Sequence, residues 1–99
     1  MKRTKIPLDI MEPGRVWLRK MLKTYEFQPG EYDLLFEAAR SLNRLDECRT
    51  IISAEGLSIQ DKFLQTRAHP LCAVERDNRL VFLRICKQLN VLGDGKDDK

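Results

Sequence analysis

The feature that most constrains the fold of this sequence is a long apolar repeat with steps of three and four residues. Such steps place the apolar side chains on one face of an α-helix. The positions of the repeat are Leu35, Ala38, Leu42, Leu45, Arg49 and Ile52, and only Arg49 breaks the apolar run. Pro29-Gly30-Glu31 marks the start and Gly56 is a natural C-terminal cap, so the repeat predicts a helix of some 25 residues, a rod of roughly 38 Å.

A helix of this length is long for a chain of 99 residues. A domain of this size has a modest core, and the far end of the helix exceeds what that core can cover. We therefore expect a neighbouring subunit to cover part of the apolar face. The predicted oligomer interface residues are Leu35, Leu42, Leu45 and Ile52.

Two shorter helices flank the long one. Pro13 opens the first, which ends between Tyr25 and Gln28, and we expect Trp17 of this helix in the core or in a subunit interface. Pro70 opens the last helix, which stops near Leu92-Gly93. The apolar stripe of the last helix comprises Leu71, Val74, Val81, Phe82, Ile85 and Leu89.

Between the long helix and the last one, the pattern favours a β-hairpin. Leu57 and Ile59 alternate with polar residues, residues 60–62 form a turn, and Phe63–Thr66 return as the second strand. The predicted fold class is mainly α, with about three helices, the second one long, and a short hairpin between the second and third. The predicted organisation is a basic flexible arm (1–12), a single helical domain with a β-hairpin (13–93) and a polar tail (94–99).

Positive charge is concentrated at the N-terminus. Residues 1–23 contain seven basic and two acidic residues, although the whole chain has a net charge of only +3. Such a distribution favours an anionic partner such as double-stranded DNA, and the alternative is a disordered, solubilising terminus. The candidate DNA-binding residues are Lys2, Arg3, Lys5, Arg15, Arg19, Lys20 and Lys23.

The sequence has few residues that point to catalysis or metal binding. His69 is the only histidine, and it is predicted to cap the last helix or to hold the base of the hairpin. Three widely spaced cysteines are predicted to be small buried thiols in a reducing compartment. No phosphate-binding loop, metal-ligand spacing or isolated carboxylate pair is present, so we expect no cofactor, no metal and no enzymatic activity. No apolar run is long enough to span a membrane.

A more specific indication comes from residues 47–93, ECRTIISAEGLSIQDKFLQTRAHPLCAVERDNRLVFLRICKQLNVLG. A long helix ending in this way, then a hairpin, then the segment from Ala68-His69-Pro70 to Glu75-Arg76-Asp77, resembles the small subunit of phage terminases. The preceding helices are similar to that family as well, so the resemblance covers about residues 13–93.

The resemblance implies a non-catalytic protein that recognises the packaging site on viral DNA, forms rings and regulates the terminase large subunit, in the cytoplasm of a bacterial host. By position, Glu55, Gly56 and Leu57 would form the corner between helix and hairpin. His69 and Pro70 would mark the start of the last helix. These are architectural roles and not those of binding residues.

The chain departs from the family in being short, with only six residues after Gly93. Many members have a longer C-terminal segment that contacts the large subunit, so unaided recruitment of that subunit is in doubt. The alternative is a phage-satellite packaging modulator that binds the terminase small subunit of a helper phage and redirects packaging. The expected partners are DNA and the large subunit, or another small subunit, in a homo- or hetero-oligomer.

Overall fold

The computed structural model describes residues 5–60 and 62–91, so the predicted tail 94–99 lies outside the described residues. The elements are α1 (Gly14–Thr24), a 3-10 turn (Pro29–Glu31), α2 (Tyr32–Glu55), β1 (Ser58–Gln60), β2 (Thr66–Ala68) and α3 (Leu71–Leu89). The strands pair antiparallel, with Ser58 opposite Ala68. The prediction of a mainly helical chain with a long second helix and a following hairpin is confirmed.

The core lies where α1 packs against α2 and where α2 and α3 run side by side. Leu18 and Met21 of α1 are fully buried there, as is Leu35 of α2. Trp17 meets Phe82 of α3 edge to face, with ring centroids 5.2 Å apart, which places Trp17 in the core. Because burial of a large apolar side chain contributes about 1.5–3 kcal/mol, this cluster is the main source of stability.

α1 and α2 approach each other closely at Gly14. A Cβ atom at this position would lie 2.5 Å from the carbonyl oxygen of Ala39, so a larger residue requires a shift of the helices. The side-chain oxygen of Asn43 accepts a hydrogen bond from the Gly14 backbone N–H at 2.8 Å. This bond satisfies one of the N–H groups that the first turn of a helix cannot bond internally. A residue of α2 therefore caps α1 across the helix contact.

Part of the predicted arm, within residues 5–12, lies against the helices, and the flexibility of the arm stays a prediction. Ile10 is fully buried in the core. The Ile10 N–H donates to the carbonyl of Pro7 at 3.2 Å and closes a turn. Burial of an isoleucine side chain offsets part of the entropy lost on ordering such a segment. Residues 1–4 of the predicted arm lie outside the described residues.

An ion pair also holds this segment to α2. Arg40 donates from Nε to Asp9 Oδ2 at 2.8 Å and from Nη2 to Asp9 Oδ1 at 3.2 Å. Its third nitrogen, Nη1, donates to Glu37 at 2.9 Å. The hydrogen bond from Arg40 lowers the pKa of Asp9, because it stabilises the ionised carboxylate.

The hairpin lies further along the chain than the sequence predicted. Its second strand is Thr66–Ala68, so the predicted returning strand Phe63–Thr66 is wrong. Phe63 and Leu64 lie in the connection between the strands and are 70% and 76% exposed. Leu64 has a φ of +63°, which is a left-handed conformation that a regular strand does not contain.

α3 ends at Leu89, before the predicted Leu92-Gly93. Asn90 has φ 60° and ψ 45°, and its N–H bonds back to carbonyls of the last helical turn. Asparagine adopts this left-handed conformation more readily than most residues and therefore ends the helix. Within the predicted apolar stripe of α3, Val74 is the exception, because it is 42% exposed.

The cysteines follow the prediction only in part. Cys48 and Cys86 are buried thiols, whereas Cys72 is half-buried. Burial raises the pKa of Cys86 to about 11, because an apolar environment disfavours the thiolate.

Candidate nucleic-acid interface

One side of α1 presents exposed cations, which we call the α1 cationic face. It comprises Arg19, Lys20 and Lys23, which lie on one side of the helix together with Val16. The other side of α1 is anchored in the core through Trp17. The helix therefore presents its cations from an element that is anchored in the core.

Arg15 differs from the other candidate DNA-binding residues. Its guanidinium donates from Nε to the carbonyl of Ile10 at 3.1 Å and from Nη2 to that of Pro7 at 2.9 Å. It is half-buried and holds residues 5–12 against α1. Two of its five guanidinium N–H donors are thus engaged within the chain, and the contact of Arg15 with phosphate stays a prediction.

The remaining candidates differ in how accessible their charges are. Arg19 lies 3.5 Å from Glu12, but both side chains are about 60% exposed, so this pair is weak. Lys20 and Lys23 are exposed and form no ion pair within the part of the chain that the structure describes. Lys5 is exposed as well, while Lys2 and Arg3 lie outside that part.

The four predicted interface residues of α2 fall into two classes. Leu35 and Leu45 are buried in the core of the chain itself, with exposures of 0% and 2%. Leu42 and Ile52 are half-buried. A neighbouring subunit could contact only Leu42 and Ile52 of this set, and oligomerisation remains a prediction.

His69 joins the end of α2 to the start of α3. Its Nδ1 accepts a hydrogen bond from the Leu71 N–H at 3.1 Å, so the proton of the neutral ring is on Nε2. Nε2 lies 2.8 Å from Glu55 Oε1 and donates to it. The His69 N–H donates to the carbonyl of Leu57 at 2.8 Å, beside the base of the hairpin. The predicted architectural role of His69 is confirmed, and Gly56 makes the corner with a φ of +92°.

An open groove of about 500 Å³ lies beside this corner. Its lining residues are Arg49, Ile52, Ser53, Gly56, Leu57, Cys72, Glu75 and Arg79. Glu75 lies between two guanidiniums, 3.3 Å from Arg49 and 3.4 Å from Arg79, and its side chain is only 17% exposed. Glu75 and Arg79 lie four residues apart on α3, a spacing that brings their side chains together. Arg49 interrupts the apolar repeat of α2 because it pairs with Glu75 of α3.

The described residues also bear on two other kinds of site, a metal centre and a membrane-spanning helix. Among residues 5–60 and 62–91, no group of three or more His, Cys, Asp and Glu side chains is placed to hold a metal ion. In the same ranges, none of the helices combines the length and the apolar character that crossing a membrane would need.

Two features of the structure were not predicted from the sequence. The cap that Asn43 provides for α1 depends on a contact between distant parts of the chain, which no local pattern indicates. The exposed side of α3 carries Arg84 and Lys87 beside Leu80 and Leu83. Their spacing is present in the sequence, but the apolar repeat of the buried stripe on the same helix is the stronger signal.

Compared with known protein families, with curated proteins and with solved structures, the chain matches none of them. The resemblance to terminase small subunits therefore rests on the sequence pattern, and the function that it implies is a proposal.

Proposed function

We propose that this protein is a non-catalytic DNA-packaging component similar to a terminase small subunit, which binds viral DNA and regulates the large subunit in the bacterial cytoplasm. The observation that carries the DNA-binding part is the α1 cationic face, whose Lys20 and Lys23 are exposed and unpaired in the described part of the chain. The assignment to packaging is supported by the resemblance of residues 13–93 to that family.

The α1 cationic face is suited to phosphate and not to base recognition. Lysine ammonium groups are point charges that contact phosphates without fixed geometry, whereas sequence is read by groups inserted into a groove. Two or three phosphate contacts give only weak binding. Several copies acting together would raise the affinity by avidity, so the proposal includes an oligomer.

The proposal is tested with the double variant Lys20→Ala/Lys23→Ala. Each phosphate contact contributes about −0.9 to the slope of log K against log salt, so the slope should become shallower by about 1.8 per bound subunit. At 0.15 M salt this corresponds to a loss of affinity of roughly 10- to 30-fold. Fluorescence anisotropy with a labelled DNA duplex over a salt series measures both quantities.

The matched control is Lys62→Ala/Arg67→Ala, which removes two exposed cations from the hairpin region. It should retain DNA affinity, and circular dichroism should show both double variants folded. Equal losses of affinity in the two variants would mean that net charge and not the α1 cationic face determines binding.

A second candidate function is the packaging modulator. It is favoured by the engagement of Arg15, which leaves fewer accessible cations on α1 than the sequence predicted. Under this reading the unaltered protein fails to bind DNA at moderate salt but forms a stable complex with the small subunit of a phage terminase. Sedimentation of the two proteins together distinguishes the two functions.

A further inference from the structure

The outer side of α3 carries an exposed strip that the core and the DNA proposal leave unexplained. Its residues are Arg76, Leu80, Leu83, Arg84 and Lys87, which we call the α3 strip. The positions Arg76, Leu80, Leu83 and Lys87 follow each other by steps of four, three and four. This spacing forms a continuous seam along one side of a helix, as in helices that pack against another helix.

The α3 strip is apolar at its centre and basic at both ends. Leu80 and Leu83 are 48% and 51% exposed. Arg84 and Lys87 form no ion pair with any described residue, and the one partner of Arg76 is Asp77 at 3.6 Å, in a pair that is mostly exposed. The strip therefore combines apolar surface with positive charge that the chain itself does not neutralise.

The outer side of α2 carries a strip of the opposite charge. Its residues are Glu47, Ile51, Ala54 and Glu55, which we call the α2 strip. Glu47, Ile51 and Ala54 follow by steps of four and three, as in the α3 strip. Ile51 is 39% exposed. Glu47 has no ion pair in residues 5–60 and 62–91, and the Glu55 side chain remains 58% exposed beside His69.

We propose that the partner of the α3 strip is the α2 strip of a second copy of this chain. Each strip has an apolar pair at its centre, Leu80 and Leu83 in one and Ile51 and Ala54 in the other, so the two centres can pack together. Carboxylates flank the centre of the α2 strip and cations flank that of the α3 strip. The two strips are similar in length, because the α2 strip spans about 12 Å along its helix and the α3 strip about 17 Å.

This contact joins two different surfaces, so it is a head-to-tail interaction. Each copy keeps one strip for the next neighbour, and repetition produces a ring if the rotation closes and a filament if it does not. Two strips of this length are small beside the roughly 800 Å² per partner of a standard interface, so a single contact is weak and association depends on concentration. The inference rests on the oligomer in the proposed function and names its surfaces, but its test requires no DNA.

The experiment uses two charge-reversed variants of the full chain. Arg84→Glu/Lys87→Glu makes one end of the α3 strip acidic, and Glu47→Lys makes one end of the α2 strip basic while leaving both the apolar pair of Ile51 and Ala54 and the Glu55 bond to His69 intact. Each variant alone places like charges opposite each other, so its dissociation constant should rise at least about tenfold over that of the unaltered protein. Mixing the two variants places the altered end of each strip opposite a charge of the other sign and should restore association in an alternating oligomer.

Sedimentation velocity over a concentration series measures association, and circular dichroism verifies that each variant is folded. The matched control for the α3 variant is Lys62→Glu/Arg67→Glu, which makes the same change in net charge as Arg84→Glu/Lys87→Glu but on the hairpin region, and it should leave association unchanged. A monomeric unaltered protein at about 100 μM, on the scale of weak interfaces, overturns the inference. Single variants that associate normally, or a mixture that stays monomeric, overturn it as well.

The DNA titration separates this inference from the proposed function. If the protein binds DNA through α1 but does not self-associate, the DNA-binding part of the proposed function stands and the contact between the strips is rejected. If the protein associates through the strips but does not bind DNA, the contact between the strips stands and the DNA-binding part of the proposed function is rejected. If Arg84→Glu/Lys87→Glu loses DNA binding while its self-association, measured by sedimentation, is unchanged, the α3 strip binds DNA and the inference is overturned.

Discussion

The two ends of the α2–α3 pair differ in how completely they are covered. At the closed end, which comprises α1, residues 5–12 and the helix segments that they cover, Ile10 and Leu18 have no exposed surface. At the open end, which comprises the last turns of α2, the hairpin and the first turns of α3, Leu57 and Leu64 are 73% and 76% exposed.

The difference follows from helix lengths. α1 has 11 residues and α2 has 24, which corresponds to about 16 Å and about 36 Å, so α1 can cover less than half of α2. The radius of gyration of 16.3 Å exceeds the roughly 13 Å of a compact chain of this length, in agreement with an elongated molecule. Stability is therefore concentrated at the closed end, while the open end keeps apolar surface available for contacts.

The largest expected effect tests this division directly. Leu18→Ala removes a fully buried side chain at the closed end and should lower the free energy of unfolding by about 2–5 kcal/mol. Leu64→Ala at the open end is the control and should change it by less than about 0.5 kcal/mol. Urea denaturation followed by circular dichroism measures both. Equal losses would show that the hairpin region contributes as much to stability as the core does.

A second substitution tests the close contact between α1 and α2. Gly14→Ala places a Cβ atom against the Ala39 carbonyl, so the helices must separate, at a cost of about 1–3 kcal/mol. Gly30→Ala is the control, because no atom lies within 4 Å of a Cβ atom at that position. Thermal melts of the two variants should differ by several degrees. An unchanged melting temperature of Gly14→Ala would mean that α1 moves freely on α2.

These two ends also differ in how well the sequence predicted them. The apolar repeats of α1 and α2 specified the closed end, because burial on a helix leaves a signal at every third or fourth residue. At the hairpin, Phe63 and Leu64 have the composition of a strand, but the strand begins only at Thr66. Short strands depend on pairing and turn geometry, which apolar composition alone does not determine.

The candidate site shows the same limit. Lys20 and Lys23 are exposed, since the apolar residues of α1 fix which side of the helix faces the solvent, and their contact with DNA stays a prediction. The role of Arg15 could not be predicted from charge, because its acceptors are the backbone carbonyls of Pro7 and Ile10. Their position depends on the burial of residue 10 in a core that only the folded chain forms.

A third prediction concerns the corner at the open end. His69→Ala leaves the Leu71 N–H without its acceptor and removes the bond to Glu55, so it should cost about 1 kcal/mol. The effect should be local. Relative to the unaltered protein, amide hydrogen exchange should become faster in the hairpin and should stay the same in α1. Glu55→Gln is the control, because its side-chain oxygen still accepts from Nε2. Uniformly faster exchange along the chain would show that the two ends unfold as one unit.

The smallest expected effect is the pH dependence of the bond between Asp9 and Arg40, which holds residues 5–12 to the closed end. Arg40 lowers the pKa of Asp9 below its usual 3.8, so the unfolded chain binds a proton at this site more readily than the folded chain does. The stabilisation is therefore fully present above the unfolded pKa, and it is lost as the pH falls through the folded one. Because Asp9 is exposed, solvent screening keeps the contribution small. The difference in unfolding free energy between the unaltered protein and Asp9→Asn should be largest near pH 6 and should decrease below pH 4.

The control is Asp46→Asn, which removes an exposed aspartate that has no ion pair in the described chain. The difference in unfolding free energy between this variant and the unaltered protein should not depend on pH in the same range. For Asp9→Asn, a difference that stays constant from pH 6 to pH 2.5 would mean that Asp9 stabilises the fold through the geometry of its hydrogen bonds to Arg40 and not through its negative charge.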